Sequence, residues 1–218
     1  MIKALDLNYL VDQRAHVWSL TLDHIQLSLT ALAIALPIAV VLGVLAVRFR
    51  FLTFPILALV GILYTIPSLA FLAFLIPSAG IGRKPALIIL VVYAQVFLVR
   101  NIIAGLKGVN PETLEAARGV GMTGPQVFWK VWLPLALPVI IAGIRIALVT
   151  IIGIASITAW INAGGLGDLL FVGINRDYPA MVLAGVVAIV ALALVTDIGI
   201  RLIERYTPVA RALRAGRS

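Results

Sequence analysis

Cysteine is absent from this chain, which removes a disulfide framework, a thiol nucleophile and any cysteine metal site. Charge is scarce: 12% of the 218 residues are charged and 62% are hydrophobic, whereas a soluble domain keeps roughly a quarter of its residues charged. With a mean hydropathy of +1.13, the chain reads as lipid-embedded. Histidine is nearly missing as well. His16 and His24 are the two, and neither has the company a metal site needs. No GxSxG, HExxH or P-loop string occurs, so no nucleophile–base pair and no apparatus for hydrolysing ATP can be assembled. No cofactor or metal is therefore expected on this chain, and a membrane enzyme is disfavoured. Acidic residues are outnumbered, 9 against 17 basic ones, yet no basic run is interleaved with aromatics. The surplus points to one basic face of a membrane protein rather than to nucleic acid.

What the chain has in abundance is apolar run. Five segments, 25–47, 51–76, 85–106, 135–161 and 178–203, each reach the roughly 20 residues that a helix needs to cross a bilayer. Together, 25–203 form an all-α transmembrane domain. Residues 1–24 are mixed and read as an extracytoplasmic, interfacial segment with Trp18 at headgroup depth. Asp6, Asp12 and Asp23 ahead of a long first run argue against a cleavable signal. Residues 204–218 form a basic tail.

Five spans put the two ends on opposite sides. With the start outside, the inside receives Arg48, Arg50, Lys107, Arg118, Lys130, Arg205, Arg211, Arg214 and Arg217. The outside receives Lys3, Arg14, Arg83, Lys84 and Arg176, diluted by Asp6, Asp12, Asp23, Asp168 and Asp177. The excess of Lys and Arg in cytoplasmic loops then predicts an external N-terminus, a cytoplasmic C-terminus and a cytoplasmic loop at 107–134.

Inside the spans, Pro67 in the string TIPS should bend or break the second helix, which is tolerated where protein or a cavity re-satisfies the backbone. Arg100, Arg145 and Asp197 are the charges read within or at the edge of spans. Arg100 is read as snorkelling to the interface. Arg145 either pairs with Asp197 or lines a polar path, and both residues count as pathway candidates by default. Gly164, Gly165 and Gly167 superficially resemble a phosphate loop, but no strand precedes them and Leu170 stands where a third glycine belongs. They read as a tight turn back into the membrane, with a flexing gate as the functional alternative. Trp18, Trp129, Trp132 and Trp160 are scattered and do not converge on a site. An aromatic cage for a cation is accordingly expected on a different protein.

The one long polar interval, 110–138, has the grammar of two short helices with a hinge. Asn110 can cap the first, with Pro111 at its first position and Glu112 and Glu115 in its opening turns. Gly119 and Gly121 should end it. Thr123 with Gln126 reads as a capping box that opens the second, and Leu133, Pro134 and Pro138 mark its exit into the next span.

This interval resembles the EAA motif of permease subunits of binding-protein-dependent ABC importers: EAA, three residues, G, nine residues, I, one residue, LP. Glu115, Ala116 and Ala117 lead to Gly121 at the required spacing, and Leu133-Pro134 closes the pattern, with Val131 in place of the usual isoleucine. TIPSLAFLAFLIP, LPLALPVIIAGIR and AGGLGDLLF, followed by MVLAGVV, are similar to the osmoprotectant branch, whose permeases serve glycine betaine, choline, carnitine and related quaternary amines. Methionine-type permeases share the motif, which keeps an amino acid as the alternative cargo. The resemblance implies a five-span type I ABC importer permease fold, methionine-permease-like, with cytoplasmic coupling helices in a bacterial or archaeal cytoplasmic membrane. It implies a second permease, identical or paralogous, a cytoplasmic ATPase pair that uses the ATP, and an extracytoplasmic substrate-binding protein. Glu115, Ala116, Ala117, Gly121, Leu133 and Pro134 would form the ATPase-coupling set. A secondary transporter or channel is the competing class, but it usually shows inverted repeats or a charged relay at mid-membrane.

Overall fold

The computed structural model describes residues 8–206. Lys3 and Asp6 at the start, and Arg211, Arg214 and Arg217 of the basic tail, lie outside them. Every regular element among the described residues is helical. A short α1 (Asn8–Asp12) precedes α2 (Arg14–Arg48), and α3 (Arg50–Thr65) and α4 (Ser68–Ala79) follow. Then come α5 (Arg83–Lys107), α6 (Pro111–Gly119), α7 (Gly124–Val127), α8 (Leu133–Thr158), α9 (Gly167–Asn175) and α10 (Pro179–Tyr206). Four helical stretches are long and apolar enough to cross a membrane, and the α3–α4 pair makes a fifth when taken as one bent span. The five-span, all-α expectation is met in that form.

From Arg14 onward the polar stretch before the first span is one helix with it. α2 covers 35 residues and begins at Arg14, roughly 50 Å of helix against a hydrocarbon core of about 30 Å. Asp23, which interrupts the apolar pattern in the sequence, is no helix stop because Arg83 at the start of α5 neutralises it at 2.8 Å. Arg83 also donates to Gln26, at 3.2 Å. The N-terminal half of α2 is therefore held by the neighbouring span.

α5 is the central rod. Its apolar window is 61% buried, against 17–39% for the other spanning helices, and α2 and α8 pack along it. Small residues permit the approach: a Cβ on Gly143 of α8 would stand 2.3 Å from Asn101 Cβ of α5, consistent with close helix packing in membranes. The second span breaks at Ile66-Pro67 with a 95° bend. Proline pushes the preceding residue out of the helical region, and Ile66 has ψ 126°. The carbonyl freed at Ile66 accepts from the hydroxyl of Tyr93 on α5. Tyr64 stacks edge-on against Tyr93 and Phe97, with centroids at 5.4 and 5.3 Å.

The stretch 162–177 read as a connector is largely a helix, α9, packed on α8 and α10. Its entry turn is where the glycines act. Gly164 and Gly165 have φ +82° and +86°, in the left-handed region that glycine enters at little cost. Gly167 lies so close to α8 that a Cβ there would stand 2.0 Å from the Ser156 carbonyl oxygen. The turn is pinned by a residue from the far end of the chain. His24 of α2 is fully buried, and its Nδ1 accepts from the Leu166 N–H at 3.2 Å. That fixes the remaining ring proton on Nε2, which donates to the Ile152 carbonyl at 3.0 Å. One imidazole thus ties α2, α8 and the glycine turn together.

His24→Phe should keep the volume but strand the buried Leu166 N–H, at a cost of about 1–3 kcal/mol. The measurement is a lowered melting temperature of the detergent-solubilised protein, with Gly167→Ala more severe. An unchanged melting temperature for both would refute the pinning role.

Candidate functional site

The polar interval folds as two short helices with an internal skeleton. Asn110 Oδ1 accepts from the Glu112 N–H at 2.9 Å, so the first helix is capped by its own preceding residue. Glu112 stands in its first turn and Arg118 in its last, each complementary to the helix dipole. α6 ends at Gly119, and Gly121 follows at φ +86° with open space around it. The need for glycine there is conformational, not steric. Gln126 Oε1 then accepts from the Thr123 N–H at 2.9 Å, and the Thr123 side chain accepts from the Gln126 N–H, so the capping box expected for the second helix is formed.

Two faces of this element differ. Ala117 and Val127 are buried, and Leu114, Phe128 and Trp132 pack against the main core. Trp132 Nε1 donates to the Leu106 carbonyl at the end of α5, at 2.7 Å. Glu115, Ala116 and Val120 look outward, and Val120 and Trp129 are 76% and 66% exposed. The short helix thus has a firm apolar underside and an open acidic-apolar outer face.

The exit from this element differs from its sequence reading. Leu133 and Pro134 do not end the second short helix; the helical path is continuous from Gly124 to Ile161, over 38 residues. α7 passes through a π-helical segment, Phe128–Trp132, directly into α8. Proline has no N–H to give to the preceding turn, and a π-bulge is one of the few ways a helix absorbs such a defect. The Leu133 N–H reaches back five residues to the Phe128 carbonyl. The short helix and the fourth span are one mechanical piece.

The pathway candidates fall in separate places. Pro67 stands at the bend of the second span. Arg145 Nη1 donates to Asp197 Oδ1 at 3.0 Å, with both side chains mostly buried between α8 and α10. Arg201, one helical turn beyond Asp197, occupies the other carboxylate oxygen at 2.7 Å. Arg201 was missed in the sequence, although its i,i+4 spacing from Asp197 is a legible pairing signal. Gly164, Gly165 and Gly167 form the turn pinned by His24, about 20 Å of α8 away from Arg145. His24 left no signal in the sequence, since its partners are 128 and 142 residues away.

Beside that turn lies a cavity of about 530 Å³ lined by Trp160, Asn162, Asp168, Phe171 and Asn175, with Ala159 and Val172. Burial pushes the Asp168 carboxyl above the usual carboxylate range; the charge of Asp23 adds to this and His16 opposes it. Among the described residues, groups of His, Cys, Asp or Glu able to hold a metal ion are absent.

Comparisons with known proteins agree on one family. The model described as "Binding-protein-dependent transport system inner membrane component" matches residues 22–207. The chain is 41% identical over 185 residues to the choline transport system permease protein OpuBB of Bacillus subtilis (strain 168), covering 85% of each. It is 40% identical over 183 residues to the glycine betaine/carnitine/choline transport system permease protein OpuCB of the same organism, covering 84% of each. Among solved structures, an inward-facing conformation of the MetNI methionine ABC transporter matches with a TM-score of 0.71 and 27% identity, covering 88% of this chain and 94% of that one. The match runs from within the first span through the last, taking in the polar element and the broken span alike, and so this chain belongs to the family of inner membrane components of binding-protein-dependent transport systems.

Proposed function

We propose that this chain is the membrane-spanning permease subunit of an ATP-driven importer of osmoprotectants, a quaternary amine such as glycine betaine, choline or carnitine. The observation that carries the cargo class is the 40–41% identity, over most of the chain, to permeases named for those compounds. The methionine transporter stands at 27%, which disfavours the amino-acid alternative. ATP hydrolysis belongs to separate cytoplasmic ATPase subunits, a second permease completes the pathway, and an external binding protein delivers the substrate.

In this reading the N-terminus is outside, the C-terminus is cytoplasmic, and α6 meets the ATPase with its outer face of Glu115 and Ala116. Ala117 anchors the same helix from beneath, and Gly121 sets the turn by which it is presented. Leu133 and Pro134 lie where α7 runs on into α8. A shift imposed on α6 is therefore delivered to the fourth span through Phe128, Trp132 and the π-helical segment, and to α5 through the Trp132–Leu106 bond. By reciprocity, substrate loading outside biases closure of the ATP sites by the same free energy.

Arg145 and Asp197 take a structural role. The Asp197 carboxylate is engaged at both oxygens by Arg145 and Arg201, and the trio carries a net positive charge, which repels a cationic cargo. It fastens α10 to α8. Pro67 and the glycine turn are the places where the pathway helices change direction, and they supply its hinge and its outer gate.

Three measurements test this. Because the chain has no native cysteine, Glu115→Cys should react with a membrane-impermeant maleimide from the cytoplasmic side alone; labelling from outside would overturn the topology. Glu115→Lys and Gly121→Val should reduce uptake to background while membrane abundance stays at the wild-type level, and normal uptake in either would remove α6 as the coupling element. Asp197→Asn leaves two guanidinium groups without their carboxylate and should destabilise the protein by about 1–3 kcal/mol, read as a lower melting temperature. Arg145→Met combined with Asp197→Leu should recover part of that loss. Without such recovery, the fastening role is wrong.

A further inference from the structure

The cavity between the end of α8 and the start of α9 has a chemistry that the coupling reading does not use. Trp160, one of the largest apolar side chains in the molecule, is 49% exposed there, and Phe171 lines the same hollow. Asp168 faces it with no hydrogen bond or ion pair to its side chain among the described residues. The neighbouring Asp23 is engaged by Arg83 at 2.8 Å, so Asp168 is the carboxylate left over. Asn162, held in the left-handed region at φ 59°, and Asn175 add amide groups at the rim. At about 530 Å³ the hollow lies within the range of small-molecule sites, roughly 300–1,000 Å³.

Two aromatic rings and an unneutralised acid suit one kind of guest. A quaternary ammonium group has no N–H to donate, so it is recognised by ring faces and by diffuse negative charge rather than by directed hydrogen bonds. Burial and the charge of Asp23 both disfavour the ionised Asp168 carboxyl, and the attraction of an entering cation offsets that cost. A headgroup-level aromatic belt explains an exposed Trp, but it does not call for a carboxylate and two amides in the same hollow.

We propose that this cavity is a relay site on the permease itself, where the trimethylammonium group of the cargo rests between Trp160, Phe171 and Asp168 after leaving the delivery protein. The proposal rests on the osmoprotectant reading above and adds a place on this chain where the cargo is held. A hollow with two rings, open on one side, binds weakly. A transit site requires that, since occupancy must be favourable enough to enter and weak enough to leave.

The test uses the assembled transporter, with permease and ATPase subunits but without delivery protein, in nanodiscs of phosphatidylglycerol and phosphatidylethanolamine. Saturation-transfer NMR on the methyl protons of choline chloride reads binding in the millimolar range. The expected result is a choline signal displaced by tetramethylammonium but not by ammonium. Trp160→Ala should weaken it roughly 2- to 30-fold, the span of a single cation–π contact. Asp168→Asn should weaken choline more than glycine betaine, whose own carboxylate opposes Asp168. Phe171→Leu, which keeps an apolar side chain in place, guards against a folding defect in the Asp168 variant and should also weaken the signal.

No displaceable signal in the wild type, or a signal indifferent to Trp160→Ala and Phe171→Leu, overturns the relay site. Replacing half the lipid with phosphatidylcholine should leave the signal intact; its disappearance would make a lipid headgroup the occupant and would equally overturn the relay role. Uptake by the complete system separates the two claims. If choline and betaine are transported but give no signal, the relay site alone fails. If neither is transported, the cargo assignment fails with it.

Discussion

In hydrocarbon a backbone N–H or C=O without a partner costs several kcal/mol, and the structure is organised by how that constraint is met wherever a helix stops being regular. At the bend of the second span the Ile66 carbonyl is taken by the Tyr93 hydroxyl. At the glycine turn the Leu166 N–H is taken by the His24 imidazole. At the end of α5 the Leu106 carbonyl is taken by the Trp132 indole. Each repair comes from a residue on another element, 27, 142 and 26 positions away. The irregular points are therefore also the points where the helices are bolted to one another.

That arrangement bears on transmission. A transporter driven from one side needs stiff levers and a few defined hinges. The levers are α5, the most enclosed of the spans, and the continuous path from Gly124 to Ile161. In the proposed reading the hinges are where regular hydrogen bonding gives way: Ile66-Pro67 and 162–167. Motion that preserved the side-chain repairs would swing the helices as rigid pieces about Tyr93 and His24. Motion that broke them would expose a polar group to lipid, so such states are penalised. The same few bonds define both the resting packing and the easy directions of movement.

How much of this was legible in the sequence follows from the range of each interaction. The spans were readable because twenty apolar residues have few alternatives, and the break at Pro67 because proline acts on its immediate neighbour. The first short helix of the polar element was readable for the same reason: Asn110, Pro111, Gly119 and Gly121 act within a turn or two. The continuity of α7 into α8 was not. Leu133-Pro134 looks like a stop, and only a π-helical segment, which depends on the packing of Phe128 and Trp132, lets the helix pass. The helical start of α2 was hidden because Asp23 reads as a boundary until Arg83, 60 residues on, is seen beside it. His24 was unreadable as a pin, since a lone histidine at a span edge carries no mark of a partner on another helix. Arg201 was the one omission that a local rule could have supplied.

The distribution of charge along α8 makes a final point about cargo. At one end of this helix stand Trp160, Phe171 and a carboxylate with no partner among the described residues; about 20 Å along it, a carboxylate is fully claimed by two arginines. A permanent cation meets attraction at the first place and a net positive group at the second. Were both ends acidic, a bound quaternary amine would have a deep well at each and would leave slowly from either. In the proposed reading attraction is confined to the end of α8 near Trp160, and the Arg145–Asp197–Arg201 group holds no place for the cation, so its release from the first place falls to helix movement. Such an arrangement differs from that of a passive cation channel, with its rings of acidic groups along the pore.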